Sequence, residues 1–542
     1  MKTLKIGLCL FVASMFVLSF STANTKQYDV CVYGGTSAGV IAAYKAAKMG
    51  KKVLLIEPAK HLGGMTASGL GWTDIGERDA ITGFTIEYYK RVLSHYGKED
   101  SVGLIKPLFE PHVAENEFNK LVSEAGFDTL LYHRVVETKM NKGKIMEIVL
   151  ENSLKPEPTT NKTIKAKVFI DCTYEGDLMA RAGVSYTIGR EHNYVYNETY
   201  NGFRICRTMH QFPEGVDPYV IPGDSTSGYV KGIKEGGHVL DEGTGDKGIQ
   251  AYNFRVCLTD VDSNKIQIAK PDNYDPADYE LLARIGKKKP WTNLSVPPWN
   301  KDVHVLLIIS PLPNGKTDCN NYGGLSTDFI GANWDYPEAD YATRVKIKKA
   351  HEDYQKGLYY FIGHSEKIPE EIRNEMLAYG YCKDEFTDNG GWPFQLYVRE
   401  ARRMIGEYVM TEHNVLNDTI VKDGIAIGSY AMDSHNTQRI VIDGMVKNEG
   451  DFNKWMSVPY PISYKAIVPK KEECTNLLVP VCMSASHSAY GSIRMEPVFM
   501  MMAEAAGAAA SLAIDTESKV QKVDYSKLAK AINYSINIKK HD

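Results

Sequence analysis

The segment that most constrains this chain runs from residue 28 to residue 57 and joins strand, turn, helix and strand patterns in register. Residues 28–33 form an apolar run typical of a buried parallel strand, residues 37–49 keep small and apolar side chains at helical spacing, and residues 52–56 predict a second strand. Gly34, Gly35 and Gly39 make the intervening turn. Because a helix that begins at such a turn presents free amides to a phosphate, the unit predicts a dinucleotide site. Glu57 ends the second strand, where it would accept the hydroxyls of the adenosine ribose.

The turn departs from the commonest pattern, G-x-G-x-x-G, at one position. Thr36 stands where the second glycine usually gives the phosphate room. A parallel α/β unit with an empty crevice is the alternative interpretation. The agreement of both strands, the helix and the terminal acid favours the dinucleotide site.

The first 23 residues have the pattern of an export signal. Lys2 and Lys5 supply positive charge, residues 6–20 are apolar, and residues 21–23 are small enough for a cleavage site. No cysteine directly follows the apolar segment, and no later stretch is predicted to cross a bilayer. We therefore expect a soluble protein that is periplasmic or secreted, with no membrane span.

Composition excludes several other classes. The 542 residues allow two or three packed domains, and the net charge of −4 without long basic runs does not indicate a nucleic-acid partner. The cysteines are scattered without a C-x-x-C pair, so we expect mostly buried free thiols, with Cys474 and Cys482 the only close pair in sequence. Asp318, Asn321 and Asp328 could form a carbohydrate- or calcium-binding loop, but their spacing matches no EF-hand, and no metal site is predicted.

The rest of the chain divides by pattern. Residues 61–74 form a glycine-rich loop that must pass alongside a cofactor bound at Glu57. Residues 186–421, rich in Tyr, Asn, Asp, Pro and Gly, suit an irregular substrate-facing domain. The small residues of 497–513 indicate close approach of a strand or a cofactor. We predict helices at 110–125, 341–361, 393–412 and 497–513, and strands within 130–151, 166–177, 425–432, 440–442 and 476–480.

Four motifs occur in one order: the glycine turn, HLGGM at 61–65, DCTYEGD at 171–177, and GSIRMEP at 491–497 leading into AAGAAASLA. With them the chain resembles the FAD-dependent oxidoreductases of the FAD_oxidored type. It is similar to their secreted bacterial subgroup, some of whose members carry the label xanthan lyase, although none of these residues is specific to a lyase. The resemblance covers nearly the whole mature chain, including IQAYNFRVCLTD, KTDCNNYGG, GWPFQLYVREARRM and MDSHNTQR.

The resemblance implies an α/β fold, with a glutathione-reductase-like FAD-binding Rossmann domain and an inserted α+β substrate (capping) domain. The implied parts are a signal peptide at 1–23, the FAD domain at 24–185 and 422–515, the capping domain at 186–421, and a tail at 516–542. FAD would lie extended, with pyrophosphate, flavin and adenine contacts from the first part and further flavin contacts near the last helix. Its implied contacts are Gly34, Gly35, Thr36, Ala38, Gly39, Glu57, Gly63, Gly64, Met65, Val136, Thr173, Asp177, Ser492, Arg494 and Glu496.

No second strand–glycine–helix fingerprint for a nicotinamide cofactor occurs in the sequence. We therefore expect a small-molecule substrate, such as a saccharide, to reduce the flavin, and dioxygen, a quinone or a partner protein to reoxidise it. The expected reaction is oxidation of a carbohydrate secondary alcohol by hydride transfer to flavin N5. Two alternatives remain open: flavin-assisted elimination of a glycoside through a keto-sugar, and a glycan-binding protein with a vestigial FAD site.

Four residues are candidates for catalysis. His435 follows a predicted strand in a polar turn, where an imidazole can take the hydroxyl proton and Asp433 can orient it. His487 precedes the flavin-side motif and could be the base instead, or a hydrogen bond to the flavin. Tyr397 and Arg399 lie on the predicted helix 393–412, where arginine could bind an anionic or hydroxylated substrate, or simply form a salt-bridged helix face. His61 could also carry a covalent bond to the flavin, although a plain loop histidine is the simpler interpretation.

Overall fold

The computed structural model describes residues 27–99, 106–205, 210–234, 237, 239–295, 304–456 and 458–534. The predicted signal peptide lies outside these residues. The helices are α1 Ser37–Lys48, α2 Gly83–Ser94, α3 Pro111–Ala125, α4 Asp177–Arg181, α5 Glu280–Lys288, α6 Tyr341–His364, α7 Glu370–Ala378, α8 Glu412–Val415, α9 His487–Ile493, α10 Glu496–Asp515 and α11 Tyr525–Ala531. The strands are β1 Gln27–Tyr33, β2 Val53–Glu57, β3 Asp128–Leu131, β4 His133–Asn141, β5 Lys144–Asn152, β6 Lys162–Asp171, β7 Tyr186–Thr187, β8 Leu258–Thr259, β9 Lys265–Gln267, β10 Ile308–Pro311, β11 Thr317–Asn320, β12 Gly380–Cys382, β13 Arg403–Met404, β14 Gly424–Gly428, β15 Met432–Ser434, β16 Gln438–Ile442, β17 Met445–Glu449, β18 Phe452–Lys454, β19 Tyr460–Ser463 and β20 Leu477–Leu478.

A seven-stranded mixed sheet forms the base of the molecule. Its strands follow the order β3-β2-β1-β6-β5-β4, and β20 also pairs with β6. The β3, β2, β1, β6 and β20 pairings are parallel, while β6, β5 and β4 form an antiparallel meander. The predicted strand–turn–helix–strand unit is confirmed as β1, α1 and β2, and the carboxyl ends of its parallel strands face the glycine turn.

The long apolar helix α10 packs against α1 on this sheet. A Cβ atom on Gly507 would lie 2.4 Å from the Ala42 carbonyl oxygen, so the small residues allow two helices to approach closely. The expected close approach of a strand is confirmed, since α10 also packs on β14 and β6, but the prediction did not include α1, with which its contact is most extensive. By length and mean hydropathy, 1.5, α10 also meets the criteria for a membrane span, contrary to our prediction for the later chain. However, 89% of that stretch is buried inside the protein, as in a core helix.

Residues 186–421 contain α5–α8 and the small sheets β8-β12-β9, β10-β11 and β13-β7. Helix α6 confirms the prediction at 341–361. The predicted helix at 393–412 is wrong: this segment is mostly extended, with only β13 and the first residue of α8 regular. Its charged side chains point inward to distant partners, since Arg402 Nη1 lies 2.9 Å from Asp177 Oδ1 and Arg403 Nη2 lies 2.6 Å from Glu191 Oε1. A helix would turn some of these charges toward solvent and break those pairs.

The described cysteines are all buried free thiols, which confirms the prediction for most of them. Cys474 and Cys482 do not form a disulfide. The structure brings together a pair that is distant in sequence, because Cys257 and Cys382 lie on neighbouring antiparallel segments with their sulfurs 3.6 Å apart.

A buried histidine on α6 predicts acid sensitivity. His351 is 1% exposed, and burial lowers its pKa to about 4. Between pH 6.5 and pH 4 the unfolded chain therefore binds one more proton at this histidine than the native state does. Stability that is present above pH 6.5 is lost as the pH falls toward 4, by about 1.4 kcal/mol per pH unit. We expect His351→Gln to reduce the slope of the free energy of unfolding against pH, measured in urea, by about this amount. His364→Gln, exposed on the same helix, should leave the slope unchanged, and equal slopes for the two variants would contradict the prediction.

Candidate active site and cofactor cleft

The glycine turn is built so tightly that side chains are excluded. A Cβ atom on Gly39 would lie 1.8 Å from the Gly34 carbonyl oxygen, and one on Gly35 would lie 2.5 Å from Leu62. Gly34 itself has a φ of +98°, which side chains rarely adopt. The first turn of α1 can therefore lie directly over the end of β1.

Thr36 replaces the usual second glycine and caps α1. Its hydroxyl accepts the Gly39 N–H at 3.2 Å and donates to the Cys172 carbonyl at 2.8 Å. The departure from the common pattern thus gives the helix an N-cap. Ala38 follows, buried in the first turn of the same helix.

Glu57 lies at the carboxyl end of β2, beside this turn. Its carboxylate accepts the Gly35 N–H at 2.6 Å and the Ala59 N–H at 2.8 Å. Burial raises the pKa of Glu57 to about 7. Two cavities, of about 170 and 660 Å³, run from the glycine turn and Glu57 past Thr173 to Tyr33.

The loop that follows β2, predicted to pass alongside the cofactor, runs next to the glycine turn. The Gly63 N–H donates to the Gly35 carbonyl at 2.8 Å, and the Met65 N–H donates to the Tyr174 hydroxyl at 3.0 Å. A Cβ atom on Gly64 would lie 2.4 Å from the same hydroxyl. His61 is the first residue of this loop. Both of its ring nitrogens have partners, Glu115 at 2.7 Å and Asp388 at 3.1 Å.

Glu496, the first residue of α10, ties these elements together. Its carboxylate accepts hydrogen bonds from Ser37 at 2.5 Å, Thr66 at 2.8 Å and Tyr174 at 2.7 Å. Burial raises its pKa, and the three hydroxyls oppose that rise. The first helix, the glycine loop and the last long helix therefore meet at one carboxylate.

Three further predicted cofactor contacts are Val136, Thr173 and Asp177, of which Thr173 and Asp177 line the larger cavity. Val136 occupies a bulge between β4 and β5, where an extra residue is left out of the ladder pairing. The Thr173 hydroxyl donates to Asp171 at 2.6 Å, and Asp177 receives a bidentate contact from Arg344 at 2.7 and 3.0 Å. These contacts use the side chains of Thr173 and Asp177 to shape the cleft.

Deeper in the protein, six side chains from four segments form a closed ring of contacts, which we call the polar ring. His435 Nδ1 lies 2.8 Å from Asp328 Oδ2, and His435 Nε2 lies 3.5 Å from Asp433 Oδ2. The remaining contacts complete it: Arg494 to Asp433 at 3.0 Å, Arg494 to the Tyr397 hydroxyl at 3.2 Å, Arg399 over the Tyr397 ring at 4.7 Å, and Arg399 to Asp328 at 3.0 Å.

Charge sets the protonation state of the polar ring. Burial alone would raise the pKa of Asp433, but the contact with His435 and the charge of Arg494 hold it below its usual range. The pKa of Asp328 is likewise lowered against burial, by Arg399 and His435. Both carboxyl groups are therefore ionised and act as hydrogen-bond acceptors.

The cleft fits a dinucleotide by structure alone: a turn without side chains, a capped helix start, a carboxylate at the end of β2, and two adjacent cavities that share lining residues. The family model described as FAD dependent oxidoreductase matches residues 29–532. The chain belongs to this family. It is an FAD-dependent oxidoreductase, and its cofactor is FAD.

Solved structures similar to this oxidoreductase align over only part of it. They include OxyS anhydrotetracycline hydroxylase from Streptomyces rimosus (15% identity, TM-score 0.24, 31% of this chain and 36% of that one). THI4 of Thermovibrio ammonificans gives 20% identity and a TM-score of 0.24 over 30% and 66% of the two chains. A 3-ketosteroid-delta4-(5alpha)-dehydrogenase from Rhodococcus jostii RHA1 is 13% identical, with a TM-score of 0.20, and the match covers 30% of this chain and 50% of that one. The chain thus spans less than two thirds of each neighbour's length, and a search of curated proteins gave no match.

Two predicted site residues of the oxidoreductase, His487 and Ser492, have hydrogen-bond partners for all of their side-chain polar atoms. His487 is 1% exposed, and its ring nitrogens contact Glu400 at 2.8 Å and Ser434 at 3.2 Å. Burial lowers its pKa to about 3, so the ring is neutral. The Ser492 hydroxyl donates to the Tyr430 carbonyl and accepts from Tyr460. His487 lies next to β15, the strand that ends one residue before His435.

His210 is a residue that the sequence did not indicate. It is half-buried with a φ of +47°, and its backbone carbonyl accepts hydrogen bonds from the side-chain amides of Asn448 at 2.8 Å and Asn436 at 3.2 Å. Its ring stacks 6.4 Å from that of His435, and burial lowers its pKa to about 4. A non-glycine residue held in this conformation is common at functional sites. No periodic or motif signal marks it in the sequence.

One acidic group has the spacing of a metal site. Glu110, His112 and Glu385 lie close enough to share an ion. The ammonium of Lys316 already contacts Glu110 at 2.8 Å and Glu385 at 2.6 Å. The lysine therefore supplies the positive charge there.

Proposed function

We propose that this oxidoreductase oxidises a secondary alcohol of a small polar substrate, with a sugar or glycoside as the preferred class. When bound, FAD supplies the acceptor for the hydride at its N5 atom. The polar ring would hold the alcohol, and His435 would take the hydroxyl proton. A transient keto-sugar that leads to elimination of a glycoside is the alternative use of the same residues.

The observation that carries this proposal is the position of His435 between two ionised carboxylates. Asp328 can only accept, so we assign a hydrogen to Nδ1 of His435, which makes Nε2 the atom that would take the substrate's proton. Asp433, 3.5 Å from Nε2, then stabilises the imidazolium that forms. The ring of His435 is 13% exposed, whereas that of His487 is 1% exposed, and this supports His435 as the base.

Arginine donors support an oxygen-rich substrate. Among the described residues, the buried Nε atoms of Arg399 and Arg494 have no hydrogen-bond partner. A buried donor without a partner costs about 1–3 kcal/mol, which hydroxyl or carboxylate oxygens of a substrate would offset. Arg494 also lies two residues before Glu496, so this part of the polar ring adjoins the segment that holds the cofactor loop.

We further propose that residues 24–185 and 422–515 form a glutathione-reductase-like FAD domain that residues 186–421 cap. Contacts of Arg344 and Arg402 with Asp177, and of the Gln395 N–H with Ser68, support this arrangement. The pattern of residues 1–23 supports export and placement in the secreted bacterial subgroup. Dioxygen, a quinone or a partner protein would accept the electrons.

Anaerobic mixing tests the proposal. We expect the flavin absorbance near 450 nm to bleach with at least one member of a panel of oligosaccharides, glycosides and uronic acids, and to return on admission of an acceptor. Recovery without an acceptor, with cleaved glycoside, would favour the elimination route. If no panel member bleaches the flavin while dithionite does, the proposed substrate class is wrong.

A further inference from the structure

A lysine of the middle segment lies in the cofactor cleft. Lys348, on α6, lines both cavities, and the smaller one is also lined by Gly34, Gly35 and Thr36 of the glycine turn. Its ammonium donates to the Phe394 carbonyl at 2.5 Å. Within the described part of the chain, Lys348 has no carboxylate within 4 Å, so its charge is not consumed by an ion pair.

The other charged groups near this cavity are acidic or already paired. Glu57 and Glu175 line it, and Glu175 accepts only the Tyr336 hydroxyl, at 3.0 Å, from another side chain. The nearby cations have carboxylate partners: Arg344 and Arg402 contact Asp177, Arg134 contacts Glu151, and His61 contacts Glu115. Among the described residues that line the smaller cavity, Lys348 is the one lysine or arginine.

Without Lys348, the charges that line this cavity would disfavour a bound pyrophosphate. A pyrophosphate diester brings two negative charges into a space that already contains two carboxyl groups. The amides at the start of α1 supply only partial positive charge. A mobile ammonium on a four-carbon stem is a common phosphate ligand.

We propose that Lys348 binds the pyrophosphate of FAD and completes the cradle formed by the glycine turn. The lysine would exchange its hydrogen bond to the Phe394 carbonyl for a phosphate oxygen. The cofactor would then be held from two sides, by α1 of the nucleotide unit and by α6 of the middle segment. This inference rests on FAD as the cofactor and not on the proposed substrate, so each can fail separately.

Binding measurements on deflavinated full-length protein test the proposal. We expect Lys348→Met to raise the Kd of FAD by about ten- to a hundredfold, the range of a lost charge-assisted hydrogen bond. The Kd of ADP, which carries the pyrophosphate without the flavin, should rise by a similar factor. Lys348→Arg should recover most of the affinity for both ligands.

Lys349→Met is the matched control, because Lys349 is the next residue of α6, its side chain is 56% exposed, and it pairs with Asp353. Its FAD and ADP affinities should equal those of the wild type. The proposal is overturned if the two methionine variants bind FAD equally well. It is also overturned if Lys348→Met weakens FAD but not ADP, since the lost contact would then lie away from the pyrophosphate.

Discussion

Replacing Gly39 by alanine is expected to give a colourless protein. The added Cβ atom would lie 1.8 Å from the Gly34 carbonyl oxygen, and backbone cannot yield as a flexible side chain does. Relief requires α1 to move away from the turn, which removes the close approach on which phosphate binding depends. We expect at least a hundredfold weaker FAD binding, visible as a low ratio of absorbance at 450 nm to that at 280 nm.

Gly363→Ala is the control for this experiment. Gly363 lies within α6, and the nearest atoms to a Cβ atom there would belong to the flexible side chains of Leu377, at 3.3 Å, and Met376, at 3.7 Å. Alanine also has the higher helix propensity, so this variant should purify yellow and be at least as stable as the wild type. A Gly39→Ala protein that retains full flavin content would show that the turn can relax.

Replacing His435 by alanine is expected to leave FAD bound and to slow flavin reduction by the substrate about 10²- to 10⁴-fold, the usual range for a lost general base. The variant removes the proton acceptor between Asp328 and Asp433 without touching the glycine turn or Glu57. Stopped-flow anaerobic reduction, with whichever sugar or uronic acid bleaches the wild type, measures the rate. The loss should appear in the limiting rate of flavin reduction at saturating substrate.

His413→Ala serves as the comparison, because His413 is partly exposed, lies outside the polar ring and contacts Asp418 and the Asn197 carbonyl. It should reduce at the wild-type rate. If His435→Ala matches it, proton removal by His435 is wrong, even though the flavin chemistry would stand.

Local patterns predicted the nucleotide unit well. The glycine spacing, the helical period after it and the acid at the end of β2 are all determined within thirty residues, where short-range rules apply. The same rules also indicated His435 and its neighbour Asp433. The sequence could not show that Asp328, from a loop considered for calcium or sugar binding, would supply the partner of His435.

The segment 393–412 shows where local reasoning fails. Its charges occur at helical spacing, and a solvated, salt-bridged helix is the usual outcome of that pattern. Here Arg399 and Arg403 are at most 2% exposed and bind carboxylates far away in sequence. Long-range ion pairs of this kind override helix propensity, and no single-sequence signal reveals them. His210 was missed for the same reason, since its conformation is held by two distant asparagines.

The central sheet and its helices are closed by segments that lie far from them in the sequence. Strand β20 inserts beside β6 some 300 residues after it, and Glu496 joins α10 to α1 across 459 residues. The glycine turn therefore lacks its supporting helix until the segment that contains Glu496 has been synthesised and packed against α1. The cofactor cleft is complete only after segments 459 residues apart in the sequence have come together.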